Sequence, residues 1–320
     1  MENTIDTAEV RLTRGAVDAV VLPREGAVLT RLRVGGRSVL ATTPWPHGSG
    51  PHDAPARSEV EWVARWRGGW QLCFPSAGAV DAVSEWPQGF HGVASQAAWR
   101  VVAVHKGRVV LEWQDEHALT ARRTWELTDS GARVDTVVRN GSTVTRPLVI
   151  AEHLVLGGDL LAPEVRAAGV SIRPPSGALL APLDYTGRPD GSAVPWPGAI
   201  VDRWPHLDGD TPARVAALVG VEPRNIRIDS RRARATVSWN GLPHALLWEE
   251  LAQSTEPPWN GSVVALGIEP TSAPHGMGTA IQNGTIQLAP GASHTWSVAL
   301  AVEWASDRES DAPDRDQETS

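Results

Sequence analysis

Glycines punctuate the chain at the short intervals that antiparallel hairpins require, and this spacing constrains the fold more than any other feature. Between residues 9 and 40 the sequence EVRLTRGAVDAVVLPREGAVLTRLRVGGRSVL alternates apolar and polar residues in short runs. The runs are broken by Arg-Gly, Glu-Gly and Gly-Gly. Period-two alternation turns one face of a strand to a core, and the glycines allow tight reversals. WRVVAVHKGRVVLEWQDE (99–116) reads as a hairpin turning at Lys-Gly. The stretch from 119 to 156 continues with strands parted by Asp-Ser-Gly and Asn-Gly-Ser. Asn-Gly recurs at 140–141, 240–241, 260–261 and 283–284, each a hairpin signal. The stretches 214–242 and 284–304 are further strand series. No capped amphipathic helix longer than about two turns stands out.

The 25 prolines and 30 glycines are spread over all connections, so no linker divides the chain. ASDRESDAPDRDQETS (305–320) has no aromatic residue and reads as a disordered, acidic, solvated tail. The expected fold is therefore all-β: one antiparallel domain over 1–304, with two large sheets packed face to face.

A net charge of −8, from 29 basic and 37 acidic residues, argues against a nucleic-acid partner, which needs a basic footprint. It gives no support for binding to an anionic membrane. Cys73 is the single cysteine, which excludes an internal disulfide and points to a reducing, cytoplasmic setting. The start MENTIDTAEVRL carries no signal-peptide pattern, and no apolar run approaches the ~18 residues of a membrane helix. The chain holds 15 Trp against 2 Phe and 1 Tyr. Indole offers a flat face for a sugar ring plus one N–H donor, and it is equally a core filler.

There is no G-x-S-x-G, P-loop, G-x-G-x-x-G or H-E-x-x-H. Cys73, in WQLCFPS, reads as a buried inert thiol. His47, His52 and Asp53 in PHGSGPHD have metal-ligand chemistry, but the segment is also an ordinary Pro/Gly loop, and no metal site is assigned there. Three segments combine an ionisable residue with an apolar or glycine-tight frame. They are GFHGVASQAAW with His91, VIAEHLVLGGDLL with Glu152 and His153, and VVALGIEPTSAPHGMG with Glu269. Period-two alternation sends Glu152 and His153 to opposite faces, so only one of them points into a given cavity. A partly buried glutamate and a histidine from distant strands, meeting in one pocket, make a general acid–base pair. Each is equally readable as a paired structural residue.

In order and wording these segments resemble the aldose 1-epimerase (galactose mutarotase-like) superfamily. AVVLPREGAVLTRLRVGGRSVL resembles its opening strands, RWRGGWQLCFPSAG its glycine-rich segment before an FP turn, and GFHGVASQAAW its HG motif followed by Trp. EHLVLGG resembles, loosely, the segment with the second histidine, and ALGIEPTSAPHG that with the C-terminal glutamate. The resemblance spans nearly the whole chain except the tail. It implies a large β-supersandwich that interconverts the α and β anomers of a free aldose, as a monomer or homodimer, without metal or organic cofactor. Glu269 would take the proton from the anomeric hydroxyl, His153 would protonate the ring oxygen, and His91 would stabilise the anomeric oxygen. The glycines beside His91 would let backbone and sugar approach closely.

The Asn-Arg pair of many sugar mutarotases is replaced by RGGWQ. Arg67 or Gln71 would then bind hydroxyls, Trp70 would form a stacking wall, and Trp248 would be a pocket wall or a core residue. Asp202 and Asp208 are candidates for the substrate-binding aspartate. RGGxxxCFP also resembles the hexose-6-phosphate epimerase branch, where Arg67, with Arg65 near it, would bind phosphate. The alternatives are a non-catalytic carbohydrate-binding sandwich of the same fold and a Trp-rich assembly domain.

Overall fold

The computed structural model describes residues 8–47, 54–79, 88–196 and 214–305. Two antiparallel sheets dominate. One has eleven strands, running from Val10–Arg14 through Val17–Leu22, Val28–Val34, Trp70–Cys73, Ala151–Leu156, Val264–Thr271, His244–Leu251, Arg214–Val219 and Leu179–Pro182 to Val194–Pro195, with Arg37–Ser38 paired to the third. The other has eight, ordered Val170–Arg173, Asn225–Ser230, Ala233–Asn240, Ser293–Trp304, Gly131–Asn140, Leu119–Leu127, Arg108–Gln114 and Arg100–His105. The expected all-β sandwich is the observed one.

The sheets enclose the main core. Leu119, Ala121, Arg123, Trp125 and Leu127 show the alternation directly: these odd positions are buried while Arg122 and Glu126 are exposed. Each fully buried large apolar side chain contributes about 1.5–3 kcal/mol. A polar cluster sits among them. The Glu152 carboxylate, fully buried, accepts from Arg123 Nη1 and Nη2 (both 2.6 Å), Trp296 Nε1 (2.6 Å) and Trp70 Nε1 (2.9 Å). Arg123 also donates to Thr136 Oγ1 (3.1 Å), and its guanidinium lies 4.6 Å from the Trp125 ring centroid. Because Arg123 and Trp296 belong to the eight-stranded sheet and Glu152 and Trp70 to the other, the cluster ties the two sheets together.

The turns divide instructively. Gly15, Gly35–Gly36 and Lys106–Gly107 close tight hairpins as expected. Asn240–Gly241 does not: it carries the chain from Ala233–Asn240 in one sheet to His244–Leu251 in the other. Asn140–Gly141 also leaves the eight-stranded sheet, for the short pair Arg146–Leu148 and Ile286–Leu288. In both, the Asn side chain makes a bond to a strand distant in sequence. Asn140 Nδ2 donates to Val144 O and Leu288 O (both 2.8 Å), and Asn240 Oδ1 accepts from Ser297 N–H (3.0 Å). A local turn signal yields to these longer-range bonds.

The helix Glu59–Arg65 is one of two short α-helices among the described residues. Ser58 caps it by accepting from Glu61 N–H (3.2 Å), and Trp62 and Val63 form its buried face. It covers the face of the eleven-stranded sheet that points away from the main core. No helix among the described residues is long and apolar enough to cross a membrane.

Candidate active site

Register brings the acid–base residues together. Ala151 pairs with Thr271 and Val155 with Gly267, which sets His153 opposite Glu269 on neighbouring strands. Leu246 pairs with Glu269 and Trp248 with Gly267, so all of these share one face. Glu152, one residue from His153, points the other way into the main core, as alternation requires. The His153 Nε2 to Glu269 Oε1 distance is 3.7 Å.

Above this face lies a cavity of about 400 Å³. His91, His153 and Glu269 form its polar floor, and Trp62, Trp66, Trp248 and Trp259 its walls. Its volume is that of a small-molecule site, with apolar walls and a few converging polar groups. Trp62 on the helix stacks with Trp66 at its C-cap, 6.0 Å between centroids and 23° between planes. Trp66 meets Trp248 edge-on at 5.8 Å.

His91 arrives from a loop and is locked by three hydrogen bonds, two to Gly78 and one to Phe74. Its N–H donates to Gly78 O (3.0 Å), its O accepts from Phe74 N–H (3.1 Å), and its Nδ1 accepts from Gly78 N–H (2.9 Å). A backbone N–H can only donate, so Nδ1 is bare and the proton sits on Nε2. This leaves Nε2–H as the donor that His91 offers to the cavity. Its φ of 57° is in the left-handed region, a strain sustained by these bonds. Burial, with the His153 ring adding, holds its pKa well below the usual value. At φ +80°, a Cβ on the adjacent Gly92 would lie 2.2 Å from Phe74 O, so the glycine permits the close approach of protein backbone.

Burial raises the Glu269 pKa to about 8 and lowers that of His153 to about 4, its own backbone partly opposing. Near neutrality the pair therefore holds one proton, on Glu269. Glu269 folds back over Gly267, where an added Cβ would stand 2.5 Å from Oε1.

Three expected site residues lie elsewhere. Trp70 faces the main core, with its ring against Trp125 and its Nε1 on Glu152, so it is no stacking wall. Gln71 shares the face of His153 but donates to Ser95 O, and it fills a small gap with Glu25, Arg67 and Gln96 instead of reaching the cavity. Arg67 is held by Glu25, through both Nε and Nη2, in that same gap. Arg65 ends the helix, so the two arginines are not aligned on an extended strand; it pairs with Glu61 at 2.5 Å. Trp248 is a cavity wall. Asp202 and Asp208, like His52 and Asp53, lie outside the described residues.

The sequence reading missed Trp62, Trp66, Trp259, Glu59 and Tyr185, all on the cavity lining. A signal for the first two was present: Ser58 and Glu61 in S-x-x-E spacing, before tryptophans four apart.

No protein-family model and no curated protein matches the sequence. Solved structures do match, over nearly the full length of both chains. A galactose mutarotase-like protein from Lactobacillus casei ATCC 334 is 16% identical, with a TM-score of 0.66 over 92% of this chain and 100% of that one. A galactose mutarotase-like protein from Clostridium acetobutylicum is 15% identical, with a TM-score of 0.65 over 93% and 95%. The fold is galactose mutarotase-like. The Slr1438 protein from Synechocystis sp. PCC 6803 is also similar in structure, at 16% identity and a TM-score of 0.69 over 94% of this chain and 98% of that one.

Proposed function

We propose that the protein is an aldose 1-epimerase, interconverting the α and β anomers of a sugar bound in the tryptophan-walled cavity. The observation that carries this reading is the register that sets His153 opposite Glu269 at 3.7 Å, with the His91 donor on the same floor. Ring opening removes a proton from the anomeric O1 and adds one to the ring oxygen O5, with cleavage of the C1–O5 bond. A pair holding one proton can do both at once. In this reading the shared proton passes from Glu269 to His153 as the sugar binds; Glu269, then ionised, takes the O1 proton while His153 delivers its own to O5. His91 Nε2–H donates to O1 as it becomes a carbonyl oxygen. Rotation about C1–C2 and closure with the roles reversed give the other anomer.

The test is polarimetry or NMR exchange on freshly dissolved α-aldoses. Equilibration faster than the spontaneous rate supports an enzyme, and sugar binding without acceleration would identify a binding module instead. Gly267→Ala provides a graded check, because the new methyl must displace the Glu269 carboxylate. It is expected to slow turnover by about 10–100-fold while circular dichroism stays unchanged.

The pH profile checks the pair. One shared proton is present between about pH 4 and about pH 8. Turnover is expected to fall above about 8, where the pair has no proton to give, and below about 4, where it cannot accept one. A rate that climbed through pH 8 would mean that Glu269 acts as base without His153 as acid.

A further inference from the structure

With its anomeric carbon on the Glu269–His153 floor, a pyranose turns its far edge toward the cavity mouth, so the mouth selects among sugars. This step rests on the reading above. One side of the mouth is Arg57, Ser58 and Glu59, where the helix Glu59–Arg65 begins, and the other is the turn carrying Tyr185 and Thr186. Tyr185, 44% exposed, donates from its hydroxyl to Glu59 Oε1 (3.1 Å), joining the two sides. Glu59 is only half-buried, so its carboxylate keeps acceptor capacity beyond that bond. Burial raises the pKa of both Glu59 and Tyr185, and exposed Glu256 adds a smaller contribution to each.

Against these carboxylates stands Arg57, the one arginine or lysine on the lining among the described residues. Proteins hold phosphate monoesters with several charged donors. The arginines nearest in sequence are engaged elsewhere, Arg65 with Glu61 and Arg67 with Glu25.

We propose that Glu59, oriented by Tyr185, is the specificity-determining residue of the cavity: it binds the exocyclic end of an aldose that carries no anionic group and excludes sugar phosphates. Hydroxyl or ammonium donors on the sugar satisfy the carboxylate, while the indole walls cover the apolar face of the ring. Binding should therefore follow the order amino sugar, neutral sugar, sugar phosphate. Each step is worth about tenfold, the size of one charge–charge interaction at a partly exposed separation.

The test is calorimetric titration with 6-amino-6-deoxyglucose, glucose and glucose 6-phosphate, which differ only at the exocyclic carbon, alongside mutarotation rates for the same three. The expected result is that order of affinity. Glu59→Gln should narrow the spread between 6-amino-6-deoxyglucose and glucose 6-phosphate by about tenfold or more. Tyr185→Phe, which leaves the carboxylate but frees it, should raise KM with little change in kcat. Equal affinity for glucose and its 6-phosphate, an unchanged spread in Glu59→Gln, or no binding of any of the three would each overturn the proposal. If the order holds but no sugar equilibrates faster, the mouth assignment stands and the epimerase reading falls.

Discussion

Glu269→Gln is expected to remove the mutarotation rate enhancement, by about 10²–10⁴-fold, and to leave the protein folded. The amide keeps the shape and a carbonyl acceptor but cannot exchange a proton with O1 or with His153. A variant that kept full activity would take Glu269 out of the mechanism. The same substitution has a thermodynamic signature that does not depend on identifying the sugar. Glu269 holds its proton to about pH 8 in the folded protein, against 4.5 for an ordinary glutamate, because burial penalises the charged form. Its contribution to stability is complete below about 4.5 and is lost as pH rises through about 8. The wild type should lose on the order of a few kcal/mol across that window, and Glu269→Gln should not. His153 acts at the other end. Its pKa of about 4, against 6.5, makes its contribution complete above 6.5 and lost as pH falls through about 4. Thermal melts of wild type and variant from acid to mildly alkaline pH read both effects. Parallel curves would contradict the buried, protonated state of Glu269.

Glu152→Gln is expected to be the most destabilising conservative change in the molecule, costing about 3–5 kcal/mol. It leaves the Arg123 guanidinium buried between the sheets without its counter-charge and removes one of the two anionic oxygens shared by Trp70 and Trp296. A buried ion pair is poor evidence of net stabilisation, since its desolvation offsets much of the attraction. Breaking it is a different matter, because one desolvated charge remains. The double variant Glu152→Gln/Arg123→Met should therefore recover a large part of the loss, as measured by denaturant midpoints. If the single variant unfolds at the wild-type midpoint, the cluster does not tie the sheets together.

Glu152 and His153 show how much of the site was legible. Adjacent residues on a strand face opposite ways, so the sequence could say that they part company. It could not say which side each would meet. Arg123, Trp70 and Trp296, distant in sequence, receive Glu152, while Glu269 and the tryptophans receive His153. His91, His153 and Glu269, singled out by their local wording, line the cavity. Trp70, Gln71 and Arg67 do not, because their partners Glu152, Ser95 and Glu25, 82, 24 and 42 residues away, hold them elsewhere.

Alternation and hairpin spacing, which are local properties, determined from sequence alone an all-β chain of paired antiparallel strands. They also determined that few helices form and which face of a strand shares its burial. Sheet membership was decided by tertiary structure: Asn140–Gly141 and Asn240–Gly241 have hairpin wording yet lead out of their sheet, because their side chains find better bonds across it. The cavity was decided there as well. Its walls come from residues between 57 and 276 that share no motif, and its protonation state follows from burial, which exists only once the sheets and the helix Glu59–Arg65 have closed around the pair.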